Sequence, residues 1–326
     1  MSKSRRFYRE VDGILLFDKP LGLSSNAALQ QIRLLFGARK AGHAGSLDPL
    51  ASGLLPICFG QATKVCGRLL DASKTYRVEV QLGARTESLD LETEVVERAP
   101  VPPLNLAKVD VVLASFTGEQ EQVPPMHSAL KHQGQRLYEL ARRGETVERP
   151  ARRIVIHSID RVGLQGERLQ FDVRCSKGTY IRSLAADIAQ RLGTLGYLAG
   201  LRRLSVDPFD GHAMHTLAEL QALQMSGSIQ SDPNQSGPVG LQQPPDLQRL
   251  DALLLGADTA FGELAAVQLA PTAEQGLLQG QVVVTQSPTP PGALRAYGAG
   301  GRFLGLVETV AAGRVRPLRL FVGGAG

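Results

Sequence analysis

Cysteine is scarce in this 326-residue chain: Cys58, Cys66 and Cys175 form no C-x-x-C pair and leave an odd count. That excludes a disulfide framework and a thiolate zinc site, and points to reduced thiols in a cytoplasmic protein. The six histidines are scattered, with no H-E-x-x-H and no cluster at metal spacing. Neither G-x-x-x-x-G-K-[ST] nor a G-x-G-x-x-G at a strand-to-helix turn occurs. Nucleotide hydrolysis, dinucleotide redox chemistry and zinc catalysis therefore lack their usual equipment. Behind Lys3, Arg5 and Arg6 the longest early apolar run is Ile14-Leu15-Leu16-Phe17, too short for a signal sequence and far too short for a membrane span. The expectation is a cytoplasmic protein, not membrane-bound, whose chemistry uses neither metal nor nucleotide cofactor.

Charge is unevenly spread. Residues 1–210 carry 30 basic and 23 acidic side chains, whereas 211–326 carry 6 and 8. The surplus on the first part suits a polyanionic partner such as RNA, although many basic proteins bind none. At this length two domains are expected.

Within that frame Asp48 needs an explanation. It sits in Gly42-His43-Ala44-Gly45-Ser46-Leu47-Asp48-Pro49-Leu50-Ala51-Ser52-Gly53-Leu54-Leu55-Pro56, with no Lys or Arg within seven residues on either side. A carboxylate withdrawn from water in such apolar company needs a cation or several hydrogen bonds. The partner must come from elsewhere in the chain, which makes Asp48 a candidate catalytic group. The competing reading is an Asp capping a turn before a helix with Pro49 at its first position.

Periodicity places these residues on a mixed α+β frame. Ser24, Ser25 or Asn26 can cap a helix with Ala28, Leu29, Ile32, Leu35 and Phe36 on one face, ended by Gly37. Tyr76, Val78, Val80 and Leu82 alternate with polar residues as in a half-buried strand, as do Leu169, Phe171, Val173 and Cys175. The latter run passes through Lys177-Gly178-Thr179 into a helix with Ile181, Leu184, Ala185, Ile188 and Leu192 inward. Tyr180 and Arg182 stand at that junction, a common location for functional groups. Residues 124–153 form a basic excursion, with Lys131, Arg136, Arg142, Arg143, Arg149, Arg152 and Arg153 against three glutamates. The Gln-, Ser-, Pro- and Gly-rich stretch over 221–250 reads as a flexible linker or insertion. Beyond it, runs at Val282–Val284, Phe303–Val307 and Leu318–Val322 suggest a small β-rich domain over 251–326.

The Asp48 run resembles the catalytic pattern G-H-x-G-[ST/A]-L-D-P-x-A-x-G-x-L-P of bacterial tRNA pseudouridine-55 synthases, the TruB family. Further segments match in the same order: Asp18-Lys19-Pro20 with Gly22 and Ser24-Ser25-Asn26, Tyr76-Arg77-Val78, Leu82-Gly83 with Arg85-Thr86, Cys175 to Arg182, and Leu201-Arg202-Arg203-Leu204. The resemblance is strong over about residues 11–210 and weak beyond. It implies a pseudouridine-synthase domain over 1–220 on a mixed sheet, with the 124–153 excursion as an RNA-clasping thumb. It further implies a PUA-like RNA-binding module at 251–326. One departure is His127, where the family usually has tyrosine.

The same resemblance implies roles. Asp48 is the nucleophile at the sugar or the base that forms a glycal, and the residues leave both open. Arg182 is its cation, a guanidinium fork holding the carboxylate charged where water is excluded. Tyr76 stacks on the uracil and helps with the C5 proton. His43 braces the stack vacated by a flipped base, Tyr180 and Leu201 line the pocket, and Lys19-Pro20 supports the active-site strand. The expected partner is tRNA, through its T-stem and loop, bound by a monomer. Two rivals remain: a non-catalytic RNA-binding or tRNA-folding protein on the same fold, and a glycosidase, which needs a second acid that the sequence around Asp48 does not offer.

Overall fold

A computed structural model of the chain describes residues 8–128, 130–226 and 247–321. The first half runs β1 (Gly13–Lys19), α1 (Ser25–Leu35), β2 (Ala41–His43), β3 (Ala51–Phe59), α2 (Cys66–Asp71), β4 (Lys74–Leu82), β5 (Ala84–Thr86) and β6 (Val95–Arg98). Then come α3 (Leu106–Ala114), β7 (Gly118–Gln122), β8 (Lys131–His132), β9 (Gln135–Arg136), α4 (Leu137–Ala141), β10 (Arg152–Gln165), β11 (Arg168–Cys175), α5 (Ile181–Leu192), β12 (Gly196–Val206), β13 (His215–Thr216) and α6 (Leu217–Ser226). After α7 (Leu247–Asp251) follow β14 (Ala266–Gln268), α8 (Pro271–Leu278), β15 (Val283–Val284), β16 (Ala293–Tyr297), β17 (Phe303–Ala311) and β18 (Arg314–Leu320).

A nine-stranded mixed sheet, ordered β13-β1-β3-β12-β4-β11-β10-β7 with β2 added on β3, carries the first part of the chain. Helices α3 and α5 cover one half of a face, burying Val109, Leu113, Leu184 and Ile188 against Val78, Val80, Phe171 and Val173. Helix α1, with α6 and α7, covers the other half of that face through Ile32, Phe36, Leu220 and Leu250 on Phe17, Leu55 and Ile57. Helix α1 starts as the sequence indicates: Ser24 accepts from Ala27 N at 3.1 Å, and Gly37 beyond its end takes φ +59°.

Between the two helical layers one row of paired residues crosses the same face: Lys19 on β1, Gly53 on β3, Arg203 on β12, Tyr76 on β4 and Val173 on β11. Both Lys19 and Arg203 are fully buried there. Gly53 makes the row possible. It holds φ +100°, and a Cβ would overlap the Arg203 carbonyl of the neighbouring strand.

The basic excursion leaves the sheet after β7 and returns at β10, two strands paired antiparallel with Arg152 opposite Gln122. Within it lie the β8–β9 hairpin and the single-turn helix α4, whose Leu137 and Leu140 are buried. The stretch read as a linker over 221–250 has helical ends, in α6 and α7, that pack on the first domain. Its middle, 227–246, lies outside the described residues.

The β-rich C-terminal part is a five-stranded sheet, β14-β16-β17-β18-β15, with its own core of Leu277, Leu294, Leu304, Val307 and Val315. Two of its strands, β14 and β16, are not legible as apolar runs in the sequence. It is seated on the first domain through Phe261 and Phe321, which share a core with Ile14, Leu54 and Leu69. Among the described residues no helix is long and apolar enough to cross a membrane.

The Gly53 constraint has a measurable consequence. Gly53→Ala should cost about 2–4 kcal/mol through clash plus strain. Gly22→Ala, at φ +84° with open space around it, should cost only about 1–2 kcal/mol. Urea denaturation of both variants checks this, and equal losses would contradict the role given to the close strand approach.

Candidate active site

The residues that follow Asp48 do not start a helix. Ala51 onward is β3, and Leu54, Leu55 and Ile57 are the apolar residues that strand buries. Asp48 itself stands on the turn before it, with Ala51 N donating to its carbonyl at 3.0 Å. The turn is tied down on three sides. Ser25 Oγ accepts from Leu47 N at 2.7 Å and donates to Leu47 O at 3.0 Å, Gly22 N donates to Pro49 O at 2.8 Å, and Arg203 Nη2 donates to Gly45 O at 3.0 Å.

Arg182, in the first turn of α5, reaches Asp48 across more than a hundred residues of sequence: Nη2 lies 3.4 Å from Oδ2. The pairing agrees with expectation, but the burial does not. The Asp48 side chain is 58% exposed while that of Arg182 is 9% exposed. The apolar letters around Asp48 belong to the strand beneath it, so the carboxylate faces the cleft and not the core.

A second carboxylate, which sequence reasoning missed, shares the guanidinium. Asp90 Oδ2 lies 3.2 Å from Arg182 Nη1, and its side chain is 8% exposed. It is fixed by Ser88 Oγ, which donates to Oδ1 at 2.6 Å, and by Glu92 N, which donates to the same oxygen at 2.9 Å. Arg182 completes its contacts by donating to the carbonyls of Ser88 at 3.2 Å and His127 at 2.6 Å. The last bond ties the base of the basic excursion to the site. The Asp90 loop contains Leu89 at φ +61°, a left-handed conformation that costs a branched side chain energy and marks a loop held by its surroundings. The hydroxyl- and acid-rich letters Thr86 to Thr93 were the available signal.

Asp48, Asp90, Leu50, Leu91, Leu198 and Leu201 line one pocket. Leu201, which the resemblance implies lines the substrate pocket, is among them. Tyr76 lies one row behind, because Leu201 pairs with Val78 and Arg203 with Tyr76. Burial pushes the Tyr76 phenol above its ordinary pKa, and the Arg203 guanidinium opposes this. Lys19 is held down chiefly by burial, which Asp48 partly offsets, and its ammonium donates to the carbonyls of Pro20 at 2.9 Å and Leu23 at 2.7 Å. Pro20 is exposed on that turn. His43, on β2, is half-buried, and its pKa is lowered by burial and then by Arg203. Tyr180 is the N-cap of α5. Gln122 pins its backbone, accepting from its N–H at 2.7 Å and donating to its carbonyl at 3.1 Å.

The arrangement offers a cleft carboxylate oriented by a buried guanidinium, with a phenol and two buried cations beneath. Sequence comparison identifies its family. Residues 33–181 match the TruB family pseudouridylate synthase N-terminal domain, 182–262 the tRNA pseudouridylate synthase B C-terminal domain, and 265–321 the pseudouridine synthase II TruB C-terminal domain. The chain is 45% identical over 318 residues to the tRNA pseudouridine synthase B of Chromohalobacter salexigens, covering 97% of this chain and 96% of that protein. The chain belongs to the TruB family of pseudouridine synthases. The Nitrosococcus oceani protein of the same name is 44% identical over the full length of both. Among solved structures, a chain of a Cbf5-Nop10-Gar1 complex superposes with TM-score 0.68 at 22% identity, covering 97% of this chain and 85% of that one. That likeness carries the fold. As a TruB-family protein on this fold, the chain has the expected α+β architecture with a β-rich C-terminal part.

Removing the second carboxylate tests the shared ion pair. Asp90→Asn leaves a buried guanidinium with one exposed partner and should destabilise the fold by about 1–3 kcal/mol. Guanidinium chloride unfolding measures it, and an unchanged midpoint would mean the Asp90 contact is not made in solution.

Proposed function

We propose that this chain converts the uridine at position 55 of the tRNA T-loop to pseudouridine, acting as a monomer on the T-stem and loop. The observation that carries the reading is the convergence of Asp48 and Arg182 on one pocket, in a chain 45% identical to a tRNA pseudouridine synthase B. The reaction needs no external reagent. The N1–C1′ bond breaks, the detached uracil turns, C5 bonds to C1′, and the C5 proton is exchanged for one on N1. Atoms and charge balance within the base.

Asp48 serves this by attacking C1′ or by taking the C2′ proton to give a glycal. Either role needs an ionised carboxylate facing the ribose, and its exposure to the cleft supports that. Arg182 fixes the carboxylate's direction, and its second carboxylate, Asp90, keeps the guanidinium from following the substrate. A stacked T-loop uridine cannot reach Asp48, so the nucleotide must be flipped out. Leu201, Tyr76 and Tyr180 would receive the base, His43 would brace the vacated stack, and the Lys19-Pro20 turn would support the strand below. The basic excursion and the C-terminal β-rich domain, read as a thumb and a PUA-like module, would contact phosphates and contribute salt-dependent affinity.

The test is incubation with unmodified tRNA followed by carbodiimide mapping of pseudouridine. Signal at the T-loop uridine is expected, and its absence there defeats the assignment. Asp48→Asn keeps volume and removes charge, so it should lower the single-turnover rate by on the order of 10⁴-fold. Because phosphate contacts carry most of the affinity, tRNA binding should change by less than about threefold. Retained turnover would remove Asp48 from its role.

A further inference from the structure

Among the described residues Arg203 is the largest fully buried side chain, 1% exposed, and none of the described carboxylates pairs with it. Its guanidinium donates only to neutral acceptors, from Nε to Leu54 O at 2.6 Å and from Nη2 to Gly45 O at 3.0 Å. A buried cation without a counter-ion is expensive. Its cross-strand partner in the β4–β12 ladder is Tyr76, whose phenol burial pushes up and the Arg203 guanidinium pulls back down. Gly53, lacking a Cβ, lets the Arg203 backbone close on β3 beside this pair.

We propose that Arg203 is a positioning residue for the isomerisation, holding the Tyr76 oxygen by a donated hydrogen bond and offsetting the negative charge that oxygen carries while it handles the C5 proton. This rests on the reading of Tyr76 given above. After C5 has bonded to C1′, the C5–H bond breaks and its electron pair becomes the C5–C6 double bond. The former C6–N1 double-bond pair returns to N1. The Tyr76 oxygen takes the C5 proton as phenolate and passes a proton on to N1 or to water, ending as it began. A guanidinium behind that oxygen stabilises the phenolate without itself being able to act as the acid, since arginine stays protonated.

The charges facing this pair from each surrounding element are Lys19 on β1, His43 on β2, Asp48 on its turn, Lys74 on β4 and the Cys175 thiol on β11. Burial depresses Lys19, His43 and Lys74, the last to about 8, and Arg203 adds to the lowering of each. At Tyr76 it favours the anion, against the burial that opposes it.

The chain has six tyrosines and no tryptophan, so tyrosinate absorbance is cleanly read, and subtracting the Tyr76→Phe titration isolates Tyr76. In Arg203→Gln the Tyr76 ionisation should move to higher pH by about tenfold in its constant, with partial return in Arg203→Lys. Single-turnover rates at saturating tRNA should fall about tenfold in Arg203→Gln with the rate's rise displaced to higher pH. The same substitution in Tyr76→Phe should change the rate by less than about twofold. An unmoved Tyr76 titration, or equal losses in both backgrounds, overturns the proposal. Should Arg203→Gln fail a thermal-melt check, the Arg203→Lys titration and rate cycle carry the same two criteria. If Tyr76→Phe turns over like wild type, the reading of Tyr76 is what fails, and the titration still decides whether Arg203 holds its hydroxyl.

Discussion

Arg182 presents one guanidinium to two carboxylates on separate loops, and the cleft depends on that bridge. One partner, Asp90, is as buried as the arginine; the other, Asp48, is more than half exposed. The asymmetry decides what each contributes. The buried pair is costly to break, so it anchors. The exposed pair is screened by water and adds little stability, so it can afford a reactive group. Carbonyls of Ser88 and His127 fill the remaining donors, so the base of the basic excursion, the Asp90 loop and the Asp48 turn all converge on α5.

The sheet sets where that bridge can form. Three of its strands, β3, β12 and β4, run side by side between the strands of the two helical layers. The row Lys19, Gly53, Arg203 and Tyr76 crosses them, and the Asp48 turn closes over it through Gly45 and Ser25. Positive charge is buried under the turn while the carboxylate stays on top. A negatively charged turn over a cationic floor is pre-organised for a group that must stay ionised.

Much of this was legible in the sequence. The period-two run from Tyr76 to Leu82 and the strand-to-helix passage from Leu169 to Leu192 fixed β4, β11 and α5, because burial on one face leaves an unambiguous alternation. The Asp48 motif, through family resemblance, pointed to Arg182 as the remote cation. The exposure of Asp48 was misread because local apolarity cannot say which neighbours turn inward; Leu54, Leu55 and Ile57 do so in β3, two residues beyond the turn. Asp90 and Arg203 were missed for a different reason. Their importance comes from partners more than ninety and more than a hundred residues away, and cross-strand register is invisible to a linear reading. Helices α6 and α7 escaped notice because they flank a polar stretch, and the linker reading ran over the end of one and most of the other.

The central claim is that Arg182 acts by geometry, as a planar fork joining two carboxylates, and not merely as a positive charge. Lysine in its place keeps the charge but offers a point donor that cannot span both. The direct measurement is the single-turnover rate of pseudouridine formation by Arg182→Lys at saturating tRNA, alongside its tRNA dissociation constant. The account predicts a rate reduced by on the order of a hundredfold with binding within about threefold of wild type. A wild-type rate in Arg182→Lys, or a loss that appears only as weaker tRNA binding, would contradict it.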